Sequence, residues 1–370
     1  MRWAPTGSRS APASRSSASR RSNRVRELAG RRRVGRGVLG GLAAACVVTL
    51  ASHPAAAQEL RQGSVVTDTA WSQALGASKS LVVYLPPSYG TDRTRRYPVA
   101  YYLHGTGGDE TNWVKLGGMA VVMDSLVAAG MPEMIVAMPD GDDSYYTTYN
   151  VLLDAAGCRR MLAPTANADR DCVAWPHYDD YVAYDVVRHL DAKYRTQATA
   201  ANRAIAGLSM GGYGAVTLAL NNPKTFSVAA SHSGVLSPLE FAPAPVGRAP
   251  FTRSAADSTA ATGFGARNAA RYRVIFGADS SSWRSRDPAT IASRIVDRGA
   301  PMPALFIDCG TADIFLPQNR AFVEALQSRN VPVEYREWAG AHNWTYWRAH
   351  VGQSLRWIAA RIAAPMPRSR

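Results

Sequence analysis

The stretch NRAIAGLSMGGYGAV, residues 202–216, sets Ser209 between Gly207 and Gly211. A serine hydroxyl attacks a carbonyl carbon at neutral pH only if a base takes its proton and a third group holds that base in place. The pattern G-x-S-x-G alone does not separate such a nucleophile from a serine in a glycine-rich loop. Its surroundings do: the apolar run RAIAGL precedes Ser209 and the helix-like GGYGAVTLAL follows it, so the serine falls at a strand, sharp turn and helix junction. Glycines at 207 and 211 let the two backbones approach closely there. The helix N-terminus also directs N–H groups and positive potential at the hydroxyl.

The remaining parts of an acyl-transfer site lie downstream and upstream. IDCGTADIF supplies Asp313 in the loop after one expected strand, and WAGAHNW supplies His342 in the loop after the next. Ser, Asp, His is the chain order of the α/β-hydrolases. Asp308 is a rival acid, but it sits inside its strand run and would have to reach out sideways. Of the other histidines, His53 precedes the folded part, His189 and His350 lie in helical patterns, and His177 and His232 are in loops, where His232 could line the pocket. An oxyanion hole needs two N–H groups. We expect one from Met210 and one from Thr106 in LHGTGG, with His104 orienting that loop. A phosphate-binding role for this glycine loop lacks both a P-loop Lys and a G-x-G-x-x-G. Trp113, Tyr145, Tyr146, Trp344 and Trp347 fall near these loops, and His104, Trp113, Tyr145, Tyr146 and Trp344 are the expected substrate-binding residues. Asp140, Asp142 and Asp143 crowd together in PDGDDSYY, an arrangement that a calcium ion could share only with further ligands.

These residues need a scaffold that delivers them to one edge. SLVVYLPPSYG, YPVAYYLHGTGG, EMIVAMPDG, RAIAGLS, FSVAASHSG, ALFIDCG and VEYREWAG read as short apolar strands closed by Gly or Pro turns. YVAYDVVRHLDAKY, GYGAVTLALNN, NRAFVEALQSRN and QSLRWIAARIAA read as helices between or after them. Alternation of this kind predicts an α/β fold with a mostly parallel central sheet covered by helices on both faces. Residues 237–292 break the rhythm with Pro, Gly, Ala and Ser, and read as an insertion forming a lid or pocket wall over the active-site edge. There is no internal repeat.

The 370 residues are 46% hydrophobic and 19% charged, the balance of a globular chain, with a net charge of +14. That charge is not spread evenly. Residues 1–57 hold 11 Arg against the single acid Glu27, a net +10, which leaves +4 for residues 58–370. Arginines, the apolar run VLGGLAAACVVTL and then ASHPAAA read as an export leader cleaved after Ala57. The apolar run is too short to span a bilayer, so neither a stable membrane anchor nor nucleic-acid binding is expected. Paired arginines in GRRRVGRGVL leave Tat or Sec export open. Removal of the leader takes Cys46 with it. In an oxidising compartment, periplasmic or secreted, Cys158 and Cys172 are the expected disulfide partners, while Cys309 in ALFIDCG reads as a small buried hydrophobe. No C-x-x-C or H-E-x-x-H spacing points to a metal, and the chemistry calls for no cofactor.

Taken in order, VYLPPSY, YPVAYYLHGTGG, MPDGDDSYY, AGLSMGGYGA, CGTADIFLPQNRAFVEAL and GAHNWTYW, over about residues 80–360, resemble the Putative esterase family of α/β-hydrolases. That family includes feruloyl and other carbohydrate-ester esterases, S-formylglutathione hydrolases and mycolyltransferases. The resemblance implies Ser209, Asp313 and His342 as the triad, and Met210 with the 104–108 loop as the oxyanion hole. S-formylglutathione hydrolases are typically cytosolic, against the leader here, and mycolyltransferases usually carry Glu as the acid and lack an HG loop. The exported esterases fit best, with a small-molecule, carbohydrate or lipid ester as substrate. An acyltransferase that hands the acyl group to an alcohol shares the same residues, and a non-catalytic binding protein on this scaffold is the remaining alternative.

Overall fold

The structure, a computed structural model, describes residues 62–148, 176–241, 272, 275–277 and 280–363. An eight-stranded sheet runs in the order β1-β2-β4-β3-β5-β6-β7-β8. Its strands are β1 (Ser64–Ser72), β2 (Ala77–Leu85), β3 (Val99–Leu103), β4 (Ile135–Pro139), β5 (Arg203–Leu208), β6 (Val228–His232), β7 (Ala304–Gly310) and β8 (Val333–Trp338). β1 pairs antiparallel with β2 and β2 antiparallel with β4, and every other pairing is parallel. The fold is that of an α/β-hydrolase, as the alternation of strand and helix patterns implies.

Composition explains which strands go where. The residues of β3, β4, β5 and β6 are buried along their whole length, and such strands must be apolar on both faces because helices cover both. One face packs under α3 (Val187–Lys193), α4 (Met210–Asn221), α6 (Pro288–Asp297) and α7 (Leu316–Gln327). The other packs under α1 (Asn112–Lys115), α2 (Met119–Ala128) and α8 (Trp344–Ile362). β1, by contrast, buries Asp68, Ala70 and Ser72 and exposes the residues between them, the alternation of a half-buried edge strand. Its mixed composition, SVVTDTAWS, hides it from a search for apolar runs.

Two boundaries differ from the expectation. Most of the expected insertion over residues 237–292 lies outside the described residues, but α5 (Ser280–Ser285) and the start of α6 fall within it. Asp287 caps α6, its carboxylate accepting from Thr290 N–H at 2.9 Å, and Pro288 starts the helix without needing an N–H partner. Ile291 and Ala292 then join the core. The C-terminal helix also starts earlier than its apolar pattern, at Trp344, because Asn343 caps it by accepting from Tyr346 N–H at 3.2 Å. The leader, residues 1–57, and the expected Cys158–Cys172 pair lie outside the described residues; Cys309 is a buried free thiol. Among the described residues no helix is long and apolar enough to cross a membrane.

Candidate active site

Parallel strands deliver their following loops to one edge, and in open α/β sheets ligands bind outside the carboxyl ends of the strands. The loops after β3, β4, β5, β6, β7 and β8 therefore meet there. Ser209 follows β5 as the residue before α4, with φ 54° and ψ −117°. This is backbone that a residue with a Cβ adopts only when its surroundings compel it. They do so on both sides: Ser209 N–H donates to His232 O at 2.9 Å and Ser209 O accepts from Val235 N–H at 3.2 Å. Gly207 and Gly211 have the steric task expected of them. A Cβ on Gly207 would lie 2.3 Å from Gly211 O, and one on Gly211 would lie 2.4 Å from Leu103 O.

His342 Nε2 stands 2.9 Å from Ser209 Oγ, and its Nδ1 stands 2.9 and 3.1 Å from the two oxygens of Asp313. The three residues come from three loops, and the second and third loops are tied to one another. Thr311 N–H donates to Trp338 O and Ala312 N–H to Gly340 O, each at 2.8 Å, so the turn carrying Asp313 is laced to the turn carrying His342. Phe315 and Trp347 close on the imidazole edge-on, each with ring centres 4.9 Å away. Burial works to raise the Asp313 carboxyl, but the hydrogen bond and charge of His342 and the N–H of Phe315 outweigh it and hold the group below its usual range. Asp313 is thus an ionised, buried acceptor beside an imidazole whose far nitrogen faces a hydroxyl. That geometry can move a proton off Ser209.

The glycine loop after β3 forms a tight turn: Gly108 N–H donates to Gly105 O at 3.1 Å and Gly107 takes φ +72°. A Cβ on Gly105 would sit 3.4 Å from Ser209 Cβ, so the turn abuts the nucleophile. Thr106 is exposed at its tip, and Met210 is the first residue of α4, where an N–H has no intrahelical partner. His104 is 1% exposed. Its Nε2 accepts from Gly141 N–H at 2.9 Å, which leaves the proton on Nδ1 to reach Gly105 O at 2.9 Å. It therefore links the β3 and β4 loops.

The same loops correct several expectations. Trp113, Tyr145 and Tyr146 are 1–2% exposed and pack below the edge instead of lining it. Trp113 donates to Leu103 O, Tyr146 OH donates to His104 O, and Tyr145 joins an aromatic cluster with Tyr213, Tyr272 and Phe276. Large aromatics at these positions gain more by filling the core than by standing in water. Trp344 is half-buried and edge-on to both Trp113 and Trp347. His232 ends β6 with no exposure, so it lines no pocket. Asp140 and Asp142 already hold a cation: the buried Lys79 ammonium lies 2.8 and 2.7 Å from their carboxylates, while Asp143 accepts from Gly107 N–H at 2.6 Å. Lys79 sits in β2, far away in sequence, where nothing local marks it as a partner. Asp308, the rival acid, turns from Ser209 and contacts His232 and Tyr346.

Comparisons with known proteins give the family and the fold. The family model described as Putative esterase matches residues 72–358. The endo-1,4-beta-xylanase/feruloyl esterase of Xylanibacter ruminicola is 30% identical over 173 residues, 46% of this chain, and the matched part is 21% of that protein's own length. The acetyl esterase of Caldicellulosiruptor saccharolyticus is 22% identical over 260 residues, covering 70% of this chain and 82% of that enzyme. Among solved structures, a ferulic acid esterase superposes with a TM-score of 0.58 at 25% identity, over 81% of this chain and 99% of its own.

Proposed function

The chain belongs to the Putative esterase family, and from that premise we propose that it is an exported serine carboxylesterase acting through an acyl-enzyme on Ser209. The observation that carries the reading is the continuous contact from Ser209 Oγ through His342 to Asp313, at 2.9 Å on each side of the ring. His342 Nε2 takes the hydroxyl proton as Oγ adds to the ester carbonyl, and the oxyanion is received by the N–H groups of Met210 and Thr106. Each such donor typically contributes about 3 kcal/mol to the transition state. His342 then returns the proton to the leaving alcohol, and water, deprotonated by the same nitrogen, releases the acid. No step requires a cofactor.

Feruloyl and acetyl esters are the class that the relatives' names favour. Half-buried Trp344, packed on the Trp347 that touches His342, offers an apolar wall, and residues 237–292 would supply the rest. Residues 1–57 act as the export leader, and Cys158 pairs with Cys172 after export. Hydrolysis of p-nitrophenyl acetate, p-nitrophenyl butyrate and methyl ferulate by the wild type and by Ser209→Ala tests the reading. Loss of turnover in the folded alanine variant is expected; turnover that survives it would sink the mechanism.

A further inference from the structure

Beneath the site lies a second contact between a histidine and an aspartate. β6 and β7 pair so that His232 stands opposite Asp308, and both side chains are without exposure. His232 Nδ1 lies 2.6 Å from Asp308 Oδ2, within ion-pair distance though the two atoms are not aligned as a hydrogen bond. On the other side His232 Nε2 is 2.8 Å from Ser354 Oγ, which is 3.0 Å from Tyr102 OH. Ser354 has a single proton, and Val351 O accepts it at 2.9 Å. A serine, a histidine and an aspartate are in line, but the serine's proton is committed to the backbone and water is excluded, so the set is no second nucleophile.

Its position suggests a different task. Ser354 belongs to α8, and so does Tyr346, whose hydroxyl donates to Asp308 Oδ1 at 2.9 Å. These bonds fasten α8 to the carboxyl ends of β6 and β7. His342 lies two residues before α8, and Trp347 of the same helix packs against its ring. The backbone of His232 meanwhile holds Ser209, by accepting its N–H at 2.9 Å. One residue thus grips the nucleophile's turn through its carbonyl and the base's helix through its ring. Apolar packing of Val351, Leu355 and Ile358 already seats α8 on the sheet, and hydrogen bonds at 2.8 to 3.0 Å add directional constraints on its register.

We propose that His232 and Asp308 are positioning residues that set the Ser209–His342 distance by locking α8 to the sheet. The inference rests on the reading of Ser209 as the nucleophile. Displacements of about 1 Å in a reacting pair cost on the order of 100-fold in rate. In the full-length protein, His232→Gln and Asp308→Asn are expected to lower kcat on p-nitrophenyl acetate by about 10- to 100-fold while KM stays within about twofold. Tyr346→Phe, which removes one hydroxyl and keeps the ring, should lower kcat by about 3- to 10-fold and is the variant to rely on if the first two do not fold. Arg203→Gln breaks a part-buried ion pair with Asp191 at the opposite end of β5, so it should lower the unfolding temperature and leave kcat unchanged. Folded His232→Gln, Asp308→Asn or Tyr346→Phe protein with wild-type kcat would overturn the inference. So would an Arg203→Gln loss of kcat as large as theirs, since any weakening of the core would then suffice. Ser209→Ala separates the two readings: if it remains active, the nucleophile was misassigned, and if it is inactive while the core variants turn over normally, only the positioning role fails.

Discussion

Replacing Asp313 by asparagine should disable the site by changing which nitrogen of His342 carries the proton. Asp313 Oδ1 accepts from the N–H of Phe315 at 2.8 Å. In the variant that N–H can be satisfied only by the amide oxygen, so the amide NH2 is turned toward His342 Nδ1. Two donors cannot face each other, and the imidazole must carry its proton on Nε2, 2.9 Å from Ser209 Oγ, where it can no longer accept one. An imidazole held in the wrong tautomer costs such a relay about 10,000-fold in turnover, about 5 kcal/mol of transition-state stabilisation at about 1.4 kcal/mol per decade. The side chain of Asp313 is fully buried, so water does not offer the ring an easy alternative partner. Asp313→Ala has no amide to impose the wrong tautomer and should retain more activity than Asp313→Asn. Steady-state hydrolysis of p-nitrophenyl acetate across pH 6 to 9, with thermal unfolding as the control for folding, measures both. A folded Asp313→Asn enzyme within tenfold of the wild type would refute the reasoning.

Other perturbations address the scaffold around this relay. Gly207→Ala should yield an inactive and poorly folded protein, because the new methyl would meet only backbone atoms of Gly211, at 2.3 and 2.4 Å, and the elbow cannot move away; circular dichroism and activity after refolding report it. Lys79→Met strips the cation from Asp140 and Asp142 and should cost about 3–5 kcal/mol of stability, the usual penalty for half of a buried pair, read as a lower urea midpoint. Burial works to raise Asp68, but its bonds to Lys193, His189, Tyr194 and Thr69 N–H outweigh it and hold its pKa well below the usual range. A carboxyl depressed in the folded state stabilises above its unfolded value of about 4 and loses that contribution as pH falls toward the folded value. The stability gap between wild type and Asp68→Asn should therefore be full at pH 7 and shrink as pH drops below 4, with an unchanged gap at pH 3 counting against it.

The chain alone determined those features that rest on local rules. Apolar runs closed by glycine mark β3 to β7 because strands buried on both faces must be apolar throughout, and the pair Gly207 and Gly211 marks an elbow because no side chain fits there. Asp313 and His342 could be singled out by their place just after strands, since a parallel sheet sends such loops to a common edge. What a side chain does once it arrives is set by neighbours distant in sequence, and this the tertiary structure alone decided. Tyr145 and Tyr146, aromatic and close to the site in sequence, turn inward where the core has room for them. Asp140 and Asp142, an acidic cluster on the page, are neutralised by Lys79 from a strand some 60 residues earlier. Asp308 and His232 read as a strand acid and a loop histidine, yet the register of β6 on β7 sets them face to face under α8. Register and helix docking are products of the whole core packing at once, and no short stretch of sequence carries them.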